Sequence, residues 1–145
     1  MANRWSGITI DCHDVERVAA FWSALLDRRP GPADPGWVYL GQPGDVLPRL
    51  VFQGVPERKT VKNRLHLDVQ VDDIAASIAQ VLELGGSETG ERHQHDAGVV
   101  VIMRDVEDNE FCLVQYYVEG AGGCLRLVLD GTARHRPDRG RPDPC

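Results

Sequence analysis

His66 and Asp68 are two apart in Arg64-Leu65-His66-Leu67-Asp68-Val69-Gln70-Val71. The run alternates apolar and polar residues, as a β-strand with one buried face does, so both side chains leave on the same side. A carboxylate beside an imidazole can orient the ring, and such a pair can act as a general base near neutral pH. A structural polar pair is an equally good account. Arg49 is a cation suited to clamping a carboxylate or enolate, or to a salt bridge with an aspartate. Trp37 and Tyr39 offer the apolar walls that a pocket sets around a few polar anchors. Cys112 needs a cationic neighbour to become a nucleophile, and its flanks, Phe111 and Leu113, point to an inert buried thiol. His93 and His95 are also two apart, beside Asp96, and could chelate from one strand face, although a polar surface segment is the plainer account.

The composition narrows the partners. The chain has 145 residues, 42% of them hydrophobic, and a formal net charge of −6. That charge argues against nucleic acid, whose binding draws on clustered lysine and arginine. No apolar run approaches the roughly 18 residues of a membrane helix. The opening Met1 to Trp5 has no signal-like stretch, so no membrane partner and a cytoplasmic location are expected. Cys12, Cys112, Cys124 and Cys145 show no C-x-x-C spacing, which fits reduced thiols rather than a zinc knuckle or redox pair.

The elements that must position these residues come as a repeat. Gly7 to Asp14 alternates as a strand and ends on an aspartate. Val15, Val18, Ala19, Trp22, Leu25 and Leu26 then form a helical stripe. Arg64 to Val71 is a second such strand, followed by Asp72 and Asp73 and the stripe Ile74, Ile78, Val81 and Leu82. Superposition sets Asp14 on Asp73, both placed to cap a helix, and Gly7 on His66. Further strands are expected over Trp37 to Leu40, Pro48 to Gln53, Ser87 to His95 (polar and short), Val99 to Arg104 and Glu110 to Tyr117. Pro30 to Gly36, with three prolines and two glycines, must be loop. The domain is expected over 1–120, with module one at 5–54, a linker at 55–62 and module two at 63–118. The remainder, 121–145, reads as an edge strand over 125–129 and then a disordered tail rich in arginine and proline.

Strand, helix and three strands, twice over, resembles the vicinal oxygen chelate superfamily of glyoxalase I, bleomycin-resistance proteins and extradiol dioxygenases. The words match too. Ile10-Asp11-Cys12, Asp14, Glu16-Arg17 and Ala19-Ala20-Phe21-Trp22 look like the opening of its actinobacterial glyoxalase-like branch. Pro48-Arg49-Leu50, Phe52-Gln53, Val55-Pro56-Glu57, Lys59-Thr60 and Lys62-Asn63-Arg64-Leu65-His66-Leu67-Asp68 are similar to that branch's central segment. Asp105, Glu107 and Asn109-Glu110-Phe111-Cys112 resemble its closing motif, with Val106 in place of the usual proline and Asp108 in place of glycine.

The resemblance implies an α+β fold in which tandem βαβββ modules form a curled, mixed β-sheet cup with helices on the convex face. With Ile8, Ile10, Leu65, Leu67, Val69, Val38, Leu40, Leu50 and Phe52 under the helices, the alternation turns Gly7, Thr9, Asp11, His66, Asp68 and Gln70 into the cup. Trp37, Tyr39, Arg49, Val51, Gln53 and Cys112 join them. Metal-dependent members hold a divalent ion with one residue from each of four strands, usually two histidines and two carboxylates. Those places fall here on Gly7, Gln53, His66 and Cys112. Glycine offers no donor and an amide is a poor one, so no metal cofactor is expected, with His66 and Cys112 the weak candidates for one.

The implied function is metal-independent lyase or isomerase chemistry on a small oxygenated molecule. His66 and Asp68 would move a proton and Arg49 would steady negative charge, while Trp37, Tyr39, Gln53, Thr9 and Cys112 contact the ligand. One alternative is a non-catalytic drug-binding protein of bleomycin-resistance type. Another is a metal-dependent enzyme with an altered site. A homodimer is the expected assembly.

Overall fold

A computed structural model describes residues 5–31, 34–42 and 45–117. The expected strand over 125–129, the tail, Cys124 and Cys145 lie outside the described residues. The first module runs β1 (Gly7–Cys12), α1 (Val15–Leu25), β2 (Trp37–Leu40) and β3 (Arg49–Gly54). The second runs β4 (Asp68–Gln70), α2 (Ile74–Glu83), β5 (Ser87–His95), β6 (Gly98–Arg104) and β7 (Glu110–Tyr116).

The repeat is visible in the caps. Asp14 accepts from the Arg17 N–H at 3.1 Å and Asp73 from those of Ala75 and Ala76 at 2.9 and 3.0 Å, satisfying donors that a first helical turn leaves open. Gly85, at φ 89°, closes α2 in the left-handed region that costs glycine little. Asp27, a non-glycine residue, takes that region after α1 at φ 49°.

The strands form two open, mixed sheets in the orders β1-β3-β2 and β4-β7-β6-β5. Each pairs its first and last strands in parallel, β1 with β3 and β4 with β7. The first module has one described strand fewer than the second. Its outer edge is reduced to the bridges Pro30–Leu40 and Asp34–Trp37, since prolines lack the N–H a ladder needs.

The helices share one face with a core fed by both sheets. Val18, Ala19, Phe21 and Trp22 of α1 are buried with Leu40, Leu50, Phe52, Val81, Val101, Met103, Phe111 and Leu113. The rings of Phe21, Trp22 and Phe111 meet edge to face, Trp22 and Phe111 at 4.9 Å. Phe21, outside the expected stripe, is as buried as Trp22, because α1 is covered on more than one flank. Trp22 donates its indole N–H to buried Asp105 at 3.1 Å.

Two expectations need correction. The strand expected over Arg64 to Val71 is ordered only over Asp68–Gln70. Leu65, expected under the helices, is 72% exposed: Arg64 and Leu65 lie in a bend, so strand alternation does not reach them. The polar strand expected over Ser87 to His95 is found with those bounds as β5, held by its ladder to β6 with an irregularity between Glu88 and Arg92.

Candidate functional site

The cup face of the first sheet is set by its register. Asp11, Gln53 and Trp37 form one row, Thr9, Val51 and Tyr39 the next, and Gly7 lies beside Arg49. Ile8, Ile10, Val38, Leu40, Leu50 and Phe52 take the helix face and pack into the core. The Arg49 guanidinium carbon lies 4.9 Å from the centre of the Tyr39 ring, a cation–π contact. Its Nε is buried without a hydrogen-bond partner among the described residues.

On the second sheet, Asp68 pairs with Cys112 and Cys112 with Ile102. Cys112 is buried in a small apolar cluster with Val100 and Val114, on the face opposite Phe111 and Leu113. His66 Nε2 lies 3.3 Å from Asp68 Oδ1, with side chains 34% and 56% exposed. One donor atom each from His66, Asp68 and Cys112 falls within 4.8 Å of the others. The structure thus brings together three candidates on this sheet, and Arg49 with Tyr39 on the other. His93, His95 and Asp96 are exposed on the β5 edge and belong to neither group.

Between the facing edges of the two sheets lies a cavity of about 210 Å³, lined by Thr9, Asp11, Asn63, His66, Asn109 and Glu110 together with apolar residues that include Ile8, Ile10 and Leu67. A more polar cleft of about 550 Å³ adjoins it under the linker and shares Asp11, Asn63 and Asn109. Of the sequence candidates, only Thr9 and His66 line the inner cavity. Arg49, Trp37, Tyr39, Gln53, Asp68 and Cys112 line neither space.

Asn63 and Asn109 come to the site without a signal in strand alternation, because both are in loops. Asp11 was legible as a cup-facing residue, two positions from Thr9 on one strand.

Two ionisable groups near the site are shifted. Burial alone would raise the Glu110 pKa, but the hydrogen bond from Lys59 and the Asn63 N–H outweigh it and hold the carboxyl below its ordinary 4.5. Lys59 Nζ lies 2.9 Å from Glu110 Oε2. Burial, with the carboxylates of Glu107, Asp105, Asp11 and Asp14, pushes the Cys12 thiol up to about 12.

The glyoxalase-like domain family model matches residues 7–114. The chain belongs to that family. Its place is therefore in the vicinal oxygen chelate superfamily. No curated protein shows significant similarity to this glyoxalase-like protein. Among solved structures, it is similar to a glyoxalase/bleomycin resistance protein/dioxygenase family enzyme from Burkholderia phytofirmans PsJN, at 14% identity and TM-score 0.66 over 79% of this chain and 100% of that one. The fosfomycin resistance protein FosX from Listeria monocytogenes follows at 15% identity and TM-score 0.64, over 82% and 98%. A mutant of that FosX, complexed with Mn(II) and 1S,2S-dihydroxypropylphosphonic acid, matches at 15% identity and TM-score 0.66 over 82% and 94%. Likeness at these identities shows the fold.

The metal site of metal-dependent relatives does not fit the corresponding residues of this glyoxalase-like protein. Gly7 has no donor, and a Cβ there would lie 2.5 Å from the Arg49 carbonyl oxygen, so β1 has no room for one. The internal register also revises the fourth position. Asp68 pairs with Cys112 as Thr9 pairs with Val51, which makes aliphatic Val51, not Gln53, the counterpart of Cys112. The first module thus supplies no donor at either place, and the remaining set is His66, Asp68 and Cys112, from the second sheet alone.

Proposed function

We propose that this protein is an enzyme of lyase or isomerase type that moves a proton on a small oxygenated molecule without a metal ion. The observation that carries this reading is the 3.3 Å contact of His66 Nε2 with Asp68 Oδ1, at a histidine that lines the inner cavity. His66 takes the proton from a carbon or hydroxyl of the bound molecule through a ring nitrogen. Asp68 orients the ring. Negative charge then develops on a substrate oxygen, and Arg49, which lies against Tyr39 and lines neither space, would have to leave that ring to steady it. Thr9 supplies a polar contact in the cavity, whereas Gln53, Trp37, Tyr39 and Cys112, which line neither space, would touch only a ligand that extends beyond it. The absence of donors at Gly7 and Val51 supports the metal-independent form.

The test is solvent-deuterium incorporation and turnover across a panel of small hydroxy-carbonyl compounds. Any activity found should be lost in His66→Ala, and full activity in that variant would remove His66 from the mechanism.

A second reading rests on the grouping of His66, Asp68 and Cys112 within 4.8 Å. These residues would hold a divalent cation of borderline softness, which when bound would act as a Lewis acid. Elemental analysis of protein purified without chelator decides this: a stoichiometric ion, lost in Cys112→Ser, would establish it. Sequestration of a planar ligand on Trp37 and Tyr39 is tested by tryptophan quenching. The protein is further proposed to work as a cytoplasmic homodimer, which light scattering in solution and fractionation of cells would test.

A further inference from the structure

The inner cavity and the outer cleft meet at Asp11, Asn63 and Asn109, which line both. Hydrogen-bonding capacity is left over at this neck. Asn109 turns its side-chain amide nitrogen to Asp105, 3.2 and 3.0 Å from the two carboxylate oxygens, which takes up one N–H and leaves the carbonyl oxygen and the other N–H to offer. Glu107 is taken up by the backbone N–H groups of His13 and Asp14. Glu110 is taken up by Lys59 and the Asn63 N–H, which also occupies that lysine of the outer cleft. The Asp11 carboxylate has no partner among the described residues.

Among the described residues, no lysine or arginine lines the inner cavity. Arg58 and Lys62 line the outer cleft, in one wall with Glu57. A ligand seated in the inner cavity therefore has the free Asp11 carboxylate and the Asn109 carbonyl within its lining, while Arg58 and Lys62 stand outside, in the cleft. A ligand rich in donors satisfies them. An anion is repelled by Asp11, and an acceptor-only group leaves both oxygens unpaired, the arrangement by which a polar site rejects the wrong partner.

We infer that Asp11 is a specificity-determining residue of this site, and that the inner cavity takes a small neutral or cationic hydrogen-bond donor, a polyol, hydroxy-carbonyl sugar or amino sugar, in preference to a carboxylate or phosphate. This rests on the proposal that the cavity is the substrate site, and it narrows the substrate class to molecules whose negative charge arises only during the reaction.

Three probes of one ring size test it by ligand-observed NMR: glucosamine, glucose and glucuronate. Glucosamine binds tightest and glucuronate weakest, with about a tenfold spread or more. Asp11→Asn, nearly isosteric, removes most of that spread. Asp11→Glu keeps the charge and keeps the ranking, which separates selectivity from damage to the fold. Glucuronate binding as tightly as glucosamine, a ranking unchanged in Asp11→Asn, or no binding of any probe at millimolar concentration would each overturn the inference. The proton-transfer proposal fails on a different result, full turnover by His66→Ala, so the two failures are distinguishable.

Discussion

Gly7 and Arg49 are register partners on the parallel strands β1 and β3, so close that a Cβ on Gly7 would lie 2.5 Å from the Arg49 carbonyl oxygen. The position where metal-dependent relatives carry a ligand is here both empty of donors and sterically shut. Arg49, turned onto Tyr39 at 4.9 Å, is the cation this face of the cup retains.

Gly7→Ala therefore forces β1 away from β3. The expected loss of stability is about 1–3 kcal/mol, read as a lower urea midpoint with an unchanged slope. Gly7→His should be at least as costly and should bind no more Zn(II) than the parent in equilibrium dialysis. A stable Gly7→His protein that gains an ion would show that the strand pair can open.

Asp68→Asn keeps the shape beside His66 and removes the charge. In any turnover assay that His66→Ala abolishes, the drop in kcat should be at least about tenfold with KM little changed, as the ring loses the carboxylate that orients it. An unchanged kcat would leave Asp68 as a structural neighbour only.

The Lys59–Glu110 pair predicts an acid-sensitive fold. The Glu110 pKa is held below its ordinary 4.5. Its contribution to stability is therefore complete above the unfolded value and is lost as pH falls through the lower folded one. Lys59→Met leaves the carboxylate half-served in a site where both side chains are largely buried. A loss of about 1–3 kcal/mol near neutral pH is expected, with a shallower further loss below pH 4.5. Urea titrations at several pH values measure both.

Cys12 is buried and its thiol is pushed up to about 12. Because only the thiolate alkylates, iodoacetamide at mildly alkaline pH should leave Cys12 unlabelled in the native protein and modify it fully in urea. Peptide mass mapping separates it from the other cysteines. Native labelling at Cys12 would mean that β1 opens far more readily than its packing implies.

Much of the fold was legible because it depends on local rules. Asp14 and Asp73 cap their helices as the repeat of the sequence requires, and the alternation in Gly7–Cys12 and Arg49–Gly54 assigns each side chain to the face it occupies. The failures have physical causes. Leu65 was placed in the core by extending a period of two into a segment that bends. Phe21 was left out because a one-sided stripe does not describe a helix packed on more than one flank. The Trp22–Asp105 hydrogen bond joins residues far apart in sequence, and no spacing rule announces such a contact.

The site divides in the same way. Residue types and alternation alone put His66 beside Asp68 and denied Gly7 a ligand, since side-chain chemistry and strand period are properties of the chain itself. Tertiary structure decided that Cys112 joins His66 and Asp68 and that Val51 is its counterpart in the first module. It also decided that Asp11, Asn63 and Asn109 meet between two sheet edges. Those relations depend on which strands pair and in what register, and that is settled when both modules bury their apolar faces in one core.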